Sequence, residues 1–196
     1  MTYLRIRNAC LWAFLTCVIT TTTAVANDYY IGAEGGFALY DNMGESRQEL
    51  ANLTNRTISS PNGTGGARAF LGFNLTEEFA IELGGFWFSD LNFEGNNVDV
   101  DIDAMGGEGT IVFKPKALKG LFARAGGHYS RLNASGNARG LVFDLDADGG
   151  GYIVGAGYES SLSDETLLRV AYSRYGGLGG DSEAASNFFS VGILMQ

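Results

Sequence analysis

The sequence predicts an all-β fold, an eight-stranded antiparallel up-and-down transmembrane β-barrel, on three observations. From Tyr29 onward the chain falls into eight stretches of about ten residues in which apolar side chains alternate with small or polar ones, the two-residue period of a strand with one greasy face. The connections between these stretches are alternately short and long. Past residue 26 no apolar run approaches the ~20 residues a spanning helix needs, which excludes a helical inner-membrane protein. A lipid-exposed sheet must close on itself to satisfy its backbone groups, and eight is the smallest common closed number.

The first 26 residues read as a secretory signal peptide to be cleaved. Arg5 and Arg7 give a positive start, Ala9 to Ile19 an apolar middle and Ala24-Val25-Ala26 a small-residue cleavage site. The mature chain is then one domain, 27–196. Both cysteines, Cys10 and Cys17, depart with the leader, so no disulfide or Cys-based metal site is expected. Losing two of 13 basic residues while keeping all 22 acidic ones moves the net charge from −9 to 11 − 22 = −11. Such a surface repels nucleic acid, and no nucleic-acid partner is expected.

The alternation places strands at 29–40, 66–75, 79–91, 98–113, 121–132, 150–159, 166–177 and 187–195. In the first, Ile31, Ala33, Phe37 and Leu39 share the greasy face. In the last, Phe189, Val191, Ile193 and Met195 do so, with Ser190 and Gly192 opposite. The connections Thr76 to Glu78, Lys114 to Gly120 and Ser160 to Glu165 are short. Asp41 to Gly65 and Asn133 to Gly149 are long and polar. Outer-membrane barrels turn tightly on the periplasmic side and carry longer loops outside, which sets the orientation. Both prolines, Pro61 and Pro115, fall in connections, where no ladder hydrogen bond is lost.

Glycine occurs 29 times, often paired, as in Gly35-Gly36, Gly84-Gly85 and Gly126-Gly127. No helix-period segment follows these pairs, so a phosphate-cradling loop is excluded. Glycine alternating with large residues instead lets a narrow interior fill without clashes. Strand parity turns Glu34, Arg68, Glu82, Glu108, Arg124 and Arg169 into the lumen, three carboxylates against three guanidinium groups. Unpaired charges would be costly there, so a salt-bridged, plugged interior is expected. Ionisable groups at membrane depth also suit an ion path, and a narrow small-solute pore is the second reading. Tyr29, Phe73, Phe79, Phe113, Phe122 and Tyr158 fall near the periplasmic strand ends, and Phe37, Trp87, Tyr129, Tyr152 and Phe189 near the outer ones, as two interfacial girdles. Charges and glycines take the inward positions. A soluble lipocalin-like barrel would invert this arrangement.

The stretches Leu121 to Arg131, Tyr152 to Tyr158 and Leu168 to Tyr175 resemble the fifth to seventh strands of OmpA-like outer-membrane barrels, including small surface proteins of the opacity and OmpX type. The resemblance implies a bacterial outer-membrane location, insertion by the outer-membrane assembly machinery, and contact with outer-membrane lipids and lipopolysaccharide. The chain ends Met195-Gln196 where the family usually ends in an aromatic residue, and the family's peptidoglycan-binding domain is absent, so no cell-wall tether is expected.

His128-Tyr129-Ser130 resembles the His-x-Ser pair of outer-membrane lipid A deacylases, with Asp144 the nearest orienting acid. A deacylase turns its triad to lipid, whereas parity turns His128 and Ser130 inward, so no enzyme is expected. Asp144-Leu145-Asp146-Ala147-Asp148-Gly149 begins like a calcium loop, but the twelfth position is Gly155 rather than glutamate. Asp99, Asp101 and Asp103 share a strand face close to the outer surface. Both acidic runs read as solvated charges with a capacity to share divalent cations with lipopolysaccharide phosphates; no cofactor or resident metal is expected. The chain is thus expected to be a monomeric surface-interaction barrel, active in adhesion or envelope integrity through its extracellular loops.

Overall fold

The computed structural model describes residues 29–41, 63–95, 98–138 and 141–196. The expected leader, 1–26, and residues 42–62 of the long first loop lie outside the described residues.

Eight antiparallel strands close in chain order. They are β1 (Tyr29–Tyr40), β2 (Gly63–Asn74), β3 (Phe79–Gly95), β4 (Val98–Phe113), β5 (Leu121–Ala138), β6 (Leu141–Ser161), β7 (Thr166–Gly176) and β8 (Ala185–Met195). A short 3-10 turn, Leu178–Gly180, lies between β7 and β8. The ring closes where β1 pairs with β8, from Ile31 opposite Met195 to Tyr40 opposite Ser186. No helix among the described residues is long and apolar enough to span a bilayer; the strands do the crossing.

The expected loop Asn133 to Gly149 is a correction. It is mostly strand, a hairpin in which β5 and β6 stay paired out to Ala138 opposite Leu141. Its aspartates and asparagines look like a loop in sequence. Beyond the membrane, however, a strand can turn polar side chains to water on its outward face, so polarity there no longer argues against a ladder. β3 likewise runs on to Gly95 after a register shift between Phe88 and Leu91.

Outward side chains form an exposed apolar band. Tyr29, Phe73, Phe79, Phe113 and Tyr158 mark its periplasmic edge, and Phe37, Trp87, Tyr129, Tyr152 and Phe189 its outer edge. Phe122 departs from the expected girdle, because it is buried and faces the lumen. The interior differs from expectation in a second respect, since large aromatics occupy it beside charges and glycines. Tyr30, Phe70, Val112, Phe122 and Leu194 form an apolar layer toward the periplasm. Phe86, Phe88, Tyr175, Leu178 and Phe188 form another toward the outside. An interior that must pack to protein density, yet excludes water, needs volume that short polar side chains cannot supply.

The glycines make those rings fit. Gly32 lies under the Phe70 ring, Gly72 under Tyr30, Gly66 under Phe88, Gly106 under Phe86 and Gly157 under Phe122, and a Cβ at any of them would strike the ring. Gly35 and Gly65, on the lipid side, have open space where a Cβ would go. Gly72→Leu is therefore expected to lower stability by about 1–3 kcal/mol through overpacking, whereas Gly35→Val leaves it unchanged or slightly higher. Urea unfolding of the detergent-solubilised barrel, followed by tryptophan fluorescence, measures both; equal losses at the two positions would contradict the space-filling account.

Candidate functional site: the sealed lumen

All six lumen charges expected from parity are buried between the two apolar layers, and the strand register explains how they meet. Glu34 on β1 stands directly opposite Arg68 on β2. On its other side it faces Gly192 of β8, which in turn faces Arg169 of β7. A side chain at Gly192 would strike Glu34, so this glycine is what lets Arg169 reach across β8 to β1.

Glu34 is the hub. Its Oε1 accepts from Arg68 Nη1 at 3.0 Å, Arg124 Nη1 at 3.1 Å and Arg169 Nη1 at 3.2 Å, while Ser190 Oγ donates to Oε2 at 2.8 Å. Glu82 takes Arg68 Nη2 and Arg169 Nη2, both at 2.8 Å, and the Tyr30 hydroxyl donates to it at 2.8 Å. Glu108 accepts from Arg68 Nε, and from the Tyr175 hydroxyl at 2.9 Å. Arg124 completes its donors on Ser173 Oγ. Arg68 thus bridges three carboxylates on three other strands, which a planar fork of five donors can do and an ammonium cannot.

Two further members were legible only in part. Glu159 on β6 shares the inward parity of Ile153 and receives Arg169 Nη2 at 2.5 Å. Lys114 reaches back from its turn to Glu159 at 3.0 Å, with its ammonium 5.0 Å from the Tyr30 ring. Parity could have found Glu159; nothing in a turn sequence says that Lys114 bends into the lumen. With them, four carboxylates face four cations, and the layer is neutral. Arg68 also lies 4.0 Å from the Phe70 ring centroid, and Arg169 lies 4.6 Å from that of Phe122, so the apolar layer below contacts the cations through ring faces.

Below this layer a basin of about 610 Å³ opens at the periplasmic end, lined by Asn74, Glu77, Lys114, Glu159, Leu167 and Gln196 among others. At its rim Lys116 Nζ sits 2.6 Å from Glu77 Oε2. That hydrogen bond holds the Glu77 carboxyl below its ordinary range and the Lys116 ammonium above its own.

His128 and Ser130 also face inward and are buried, while Tyr129 between them is outside. Their polar atoms are turned to the end of β7 and the turn after it rather than to lipid. His128 Nε2 is 3.1 Å from Gly176 O, and Gly179 N–H donates to Ser130 Oγ at 3.0 Å. Asp144 stands opposite Ser135, seven residues along β6 from Gly151, the partner of His128. At roughly 3.4 Å per residue its strand position is about 20 Å or more from that of His128, much farther apart than a hydrogen-bonded pair allows.

The acidic runs come together on one surface. Asp103, Asn133 and Asp146 form one row across β4, β5 and β6, and Asp101, Ser135 and Asp144 the next. Asn133 Nδ2 donates to Asp103 Oδ2 at 3.1 Å, and Arg131 pairs with Asp148 at 2.9 Å. Among the described residues no group of three or more His, Cys, Asp or Glu side chains is arranged to hold a metal ion.

The profile of the OmpA-like transmembrane domain matches residues 24–195. Comparison with curated protein sequences gives no match. Among solved structures, Neisserial surface protein A is similar at TM-score 0.50 and 15% identity, over 88% of this chain and 99% of its own. Ail, the attachment invasion locus protein of Yersinia pestis, solved in complex with the heparin analogue sucrose octasulfate, is similar at TM-score 0.55 and 9% identity, over 86% and 99%. At these identities the likeness concerns the fold.

Arg68→Leu leaves Glu34, Glu82 and Glu108 buried with one partner fewer each, and a loss of about 3–5 kcal/mol in unfolding free energy is expected. Arg68→Lys restores charge but not the three-way fork, and should recover only part of that loss. Urea denaturation of both variants in detergent checks the order.

Proposed function

Because the chain belongs to the family of OmpA-like transmembrane domains, we propose that this outer-membrane barrel works at the cell surface, in adhesion or envelope integrity, through its outer strands and loops rather than through its interior. The observation that carries this reading is the filled lumen. A neutral ionic layer lies between two aromatic ones, and its side chains are almost wholly buried. A small-solute pore, the other reading, requires a continuous wet path, and two apolar layers in series oppose one. Catalysis is not part of the proposal, since His128 and Ser130 are engaged by Gly176 and Gly179 and Asp144 is remote from them along the sheet.

The outer ends of β3 to β6 continue beyond the aromatic girdle at Trp87, Tyr129 and Tyr152 and form the natural contact surface. On its outward face Asp101, Asp103, Asp146 and Asp148 lie on neighbouring rungs, with Arg131 paired to Asp148. Ail was solved with a sulfated polyanion; a surface of this charge favours cationic partners instead, or lipopolysaccharide phosphates bridged by divalent cations. The barrel is proposed to act as a monomer whose neighbours are outer-membrane lipids, and to reach the membrane by export and the outer-membrane assembly machinery.

Planar-bilayer recording of the refolded protein is expected to show no conductance steps, and an Arg124→Ala variant serves as the comparison; steady open-channel currents from the unaltered chain would favour the pore. Pull-down with the outer surface exposed should capture a basic peptide such as oligolysine in preference to sucrose octasulfate. Capture should weaken several-fold in an Asp146→Asn, Asp148→Asn double variant. Repeating it after deletion of residues 45–62 separates the contribution of the long loop from that of the strands.

A further inference from the structure

The turn joining β7 to β8 folds back into the outer mouth. Leu178 at its head is fully buried and completes the outer apolar layer beside Phe86, Phe88, Tyr175 and Phe188. The turn holds its own shape: Gly177 and Leu178 N–H donate to Ala184 O, Gly180 to Gly177 O, Asp181 to Leu178 O, and Ala184 to Asp181 O. Gly177, Gly179 and Gly180 adopt φ of 78°, 64° and 82°, the left-handed region that only glycine enters without strain.

Its side-chain hydrogen bonds to the wall come from β5. His128 Nε2–H donates to Gly176 O, and Gly179 N–H donates to Ser130 Oγ. A carbonyl only accepts, so Nε2 carries the proton and Nδ1 is a bare acceptor; no donor reaches it among the described residues. The imidazole is thus committed to the end of β7, where the turn departs. The adjoining wall of β6 is shaved to glycine: a Cβ on Gly149 would strike Gly180, and one on Gly151 would strike Gly176 O and the His128 ring. This close, smooth seat receives a separate body rather than a continuation of the sheet.

We propose that Gly177–Ala184 is a hinged stopper, latched to β5 by Ser130, whose withdrawal exposes the outer aromatic layer to the cell exterior while the ionic layer beneath stays closed. Withdrawal costs the Gly179–Ser130 hydrogen bond, the burial of Leu178 and the packing of Ala184 against the same layer. The five bonds inside the turn and the strand ladders are kept, so the turn can withdraw without unravelling the sheet. Gly176 opposite Ala185, the last rung between β7 and β8, is the hinge. Of the His-x-Ser pair on β5, Ser130 is accounted for as the latch and His128 as the group that steadies the hinge.

Thiol labelling tests this in the full chain with Cys10→Ser and Cys17→Ser. Ile153→Cys places a probe in the outer apolar layer that Leu178 completes, and Ala80→Cys a control in the periplasmic-side layer, both positions being buried. The reagent is a membrane-impermeant maleimide applied from outside, and heat-modifiable mobility verifies that each variant has folded. Adding Ser130→Ala, which removes a latch, or Gly149→Ala, which crowds the seat, should speed labelling at Ile153→Cys by about tenfold or more and leave Ala80→Cys protected. No acceleration at Ile153→Cys with either change, or equal acceleration at Ala80→Cys, overturns the stopper: the first means the turn is fixed, the second that the whole barrel loosens.

Discussion

Hydrocarbon outside the sheet leaves polar and charged side chains at membrane depth nowhere to go but inward, and an eight-stranded cylinder gives them a space about one side chain wide. The rest of the structure follows from that confinement. Arginines and glutamates cannot be diluted by water there, so every carboxylate must meet a cation at hydrogen-bonding distance. Glu34 does so by gathering three guanidinium groups from β2, β5 and β7. The arrangement depends on register, because a one-residue slip of any strand would turn its charge into lipid.

Confinement also sets the division of labour between glycines and rings. The ionic layer has a ceiling and a floor of aromatic side chains, and Tyr30, Phe70, Phe86, Phe88 and Phe122 each lie over a glycine on a neighbouring strand. Charges without these layers would be hydrated from both mouths, and rings without the ionic layer would have no partner for the Tyr30 and Tyr175 hydroxyls. The inside of this barrel is built like the core of a soluble protein with a polar heart, and the lipid band is its inverted surface.

Rigidity in the middle shifts adaptable behaviour to the outer end. Beyond the upper girdle, β3 to β6 continue as a paired sheet whose outward face is acidic. The β7–β8 turn lies in the mouth with its own hydrogen bonds and few to the wall. Parts that touch water on one side can change partner without exposing backbone to hydrocarbon, which parts at membrane depth cannot do. The outer end is therefore the part of the barrel whose contacts can change, and the ionic layer is the part whose contacts cannot.

The two-residue period of Phe189, Val191, Ile193 and Met195 opposite Ser190 and Gly192 was enough to assign faces, and face assignment was enough to place all six lumen charges, since parity is a local property of extended backbone. It was blind to the far ends of β3, β5 and β6. There the lipid that makes one face greasy is gone, and Asp144, Asp146 and Asp148 read as loop although they lie on strand. Parity also passed over the aromatic layers, whose members, such as Phe122 and Tyr175, are as apolar as the girdle residues and differ from them only in direction. Closure, strand count and the presence of a paired charge layer were thus determined by the sequence alone. Which arginine meets which glutamate, that Lys114 bends inward, and that the His128 and Ser130 side chains hold a turn were decided only by tertiary structure, because they depend on the shear of eight strands around a ring, a quantity no single segment contains.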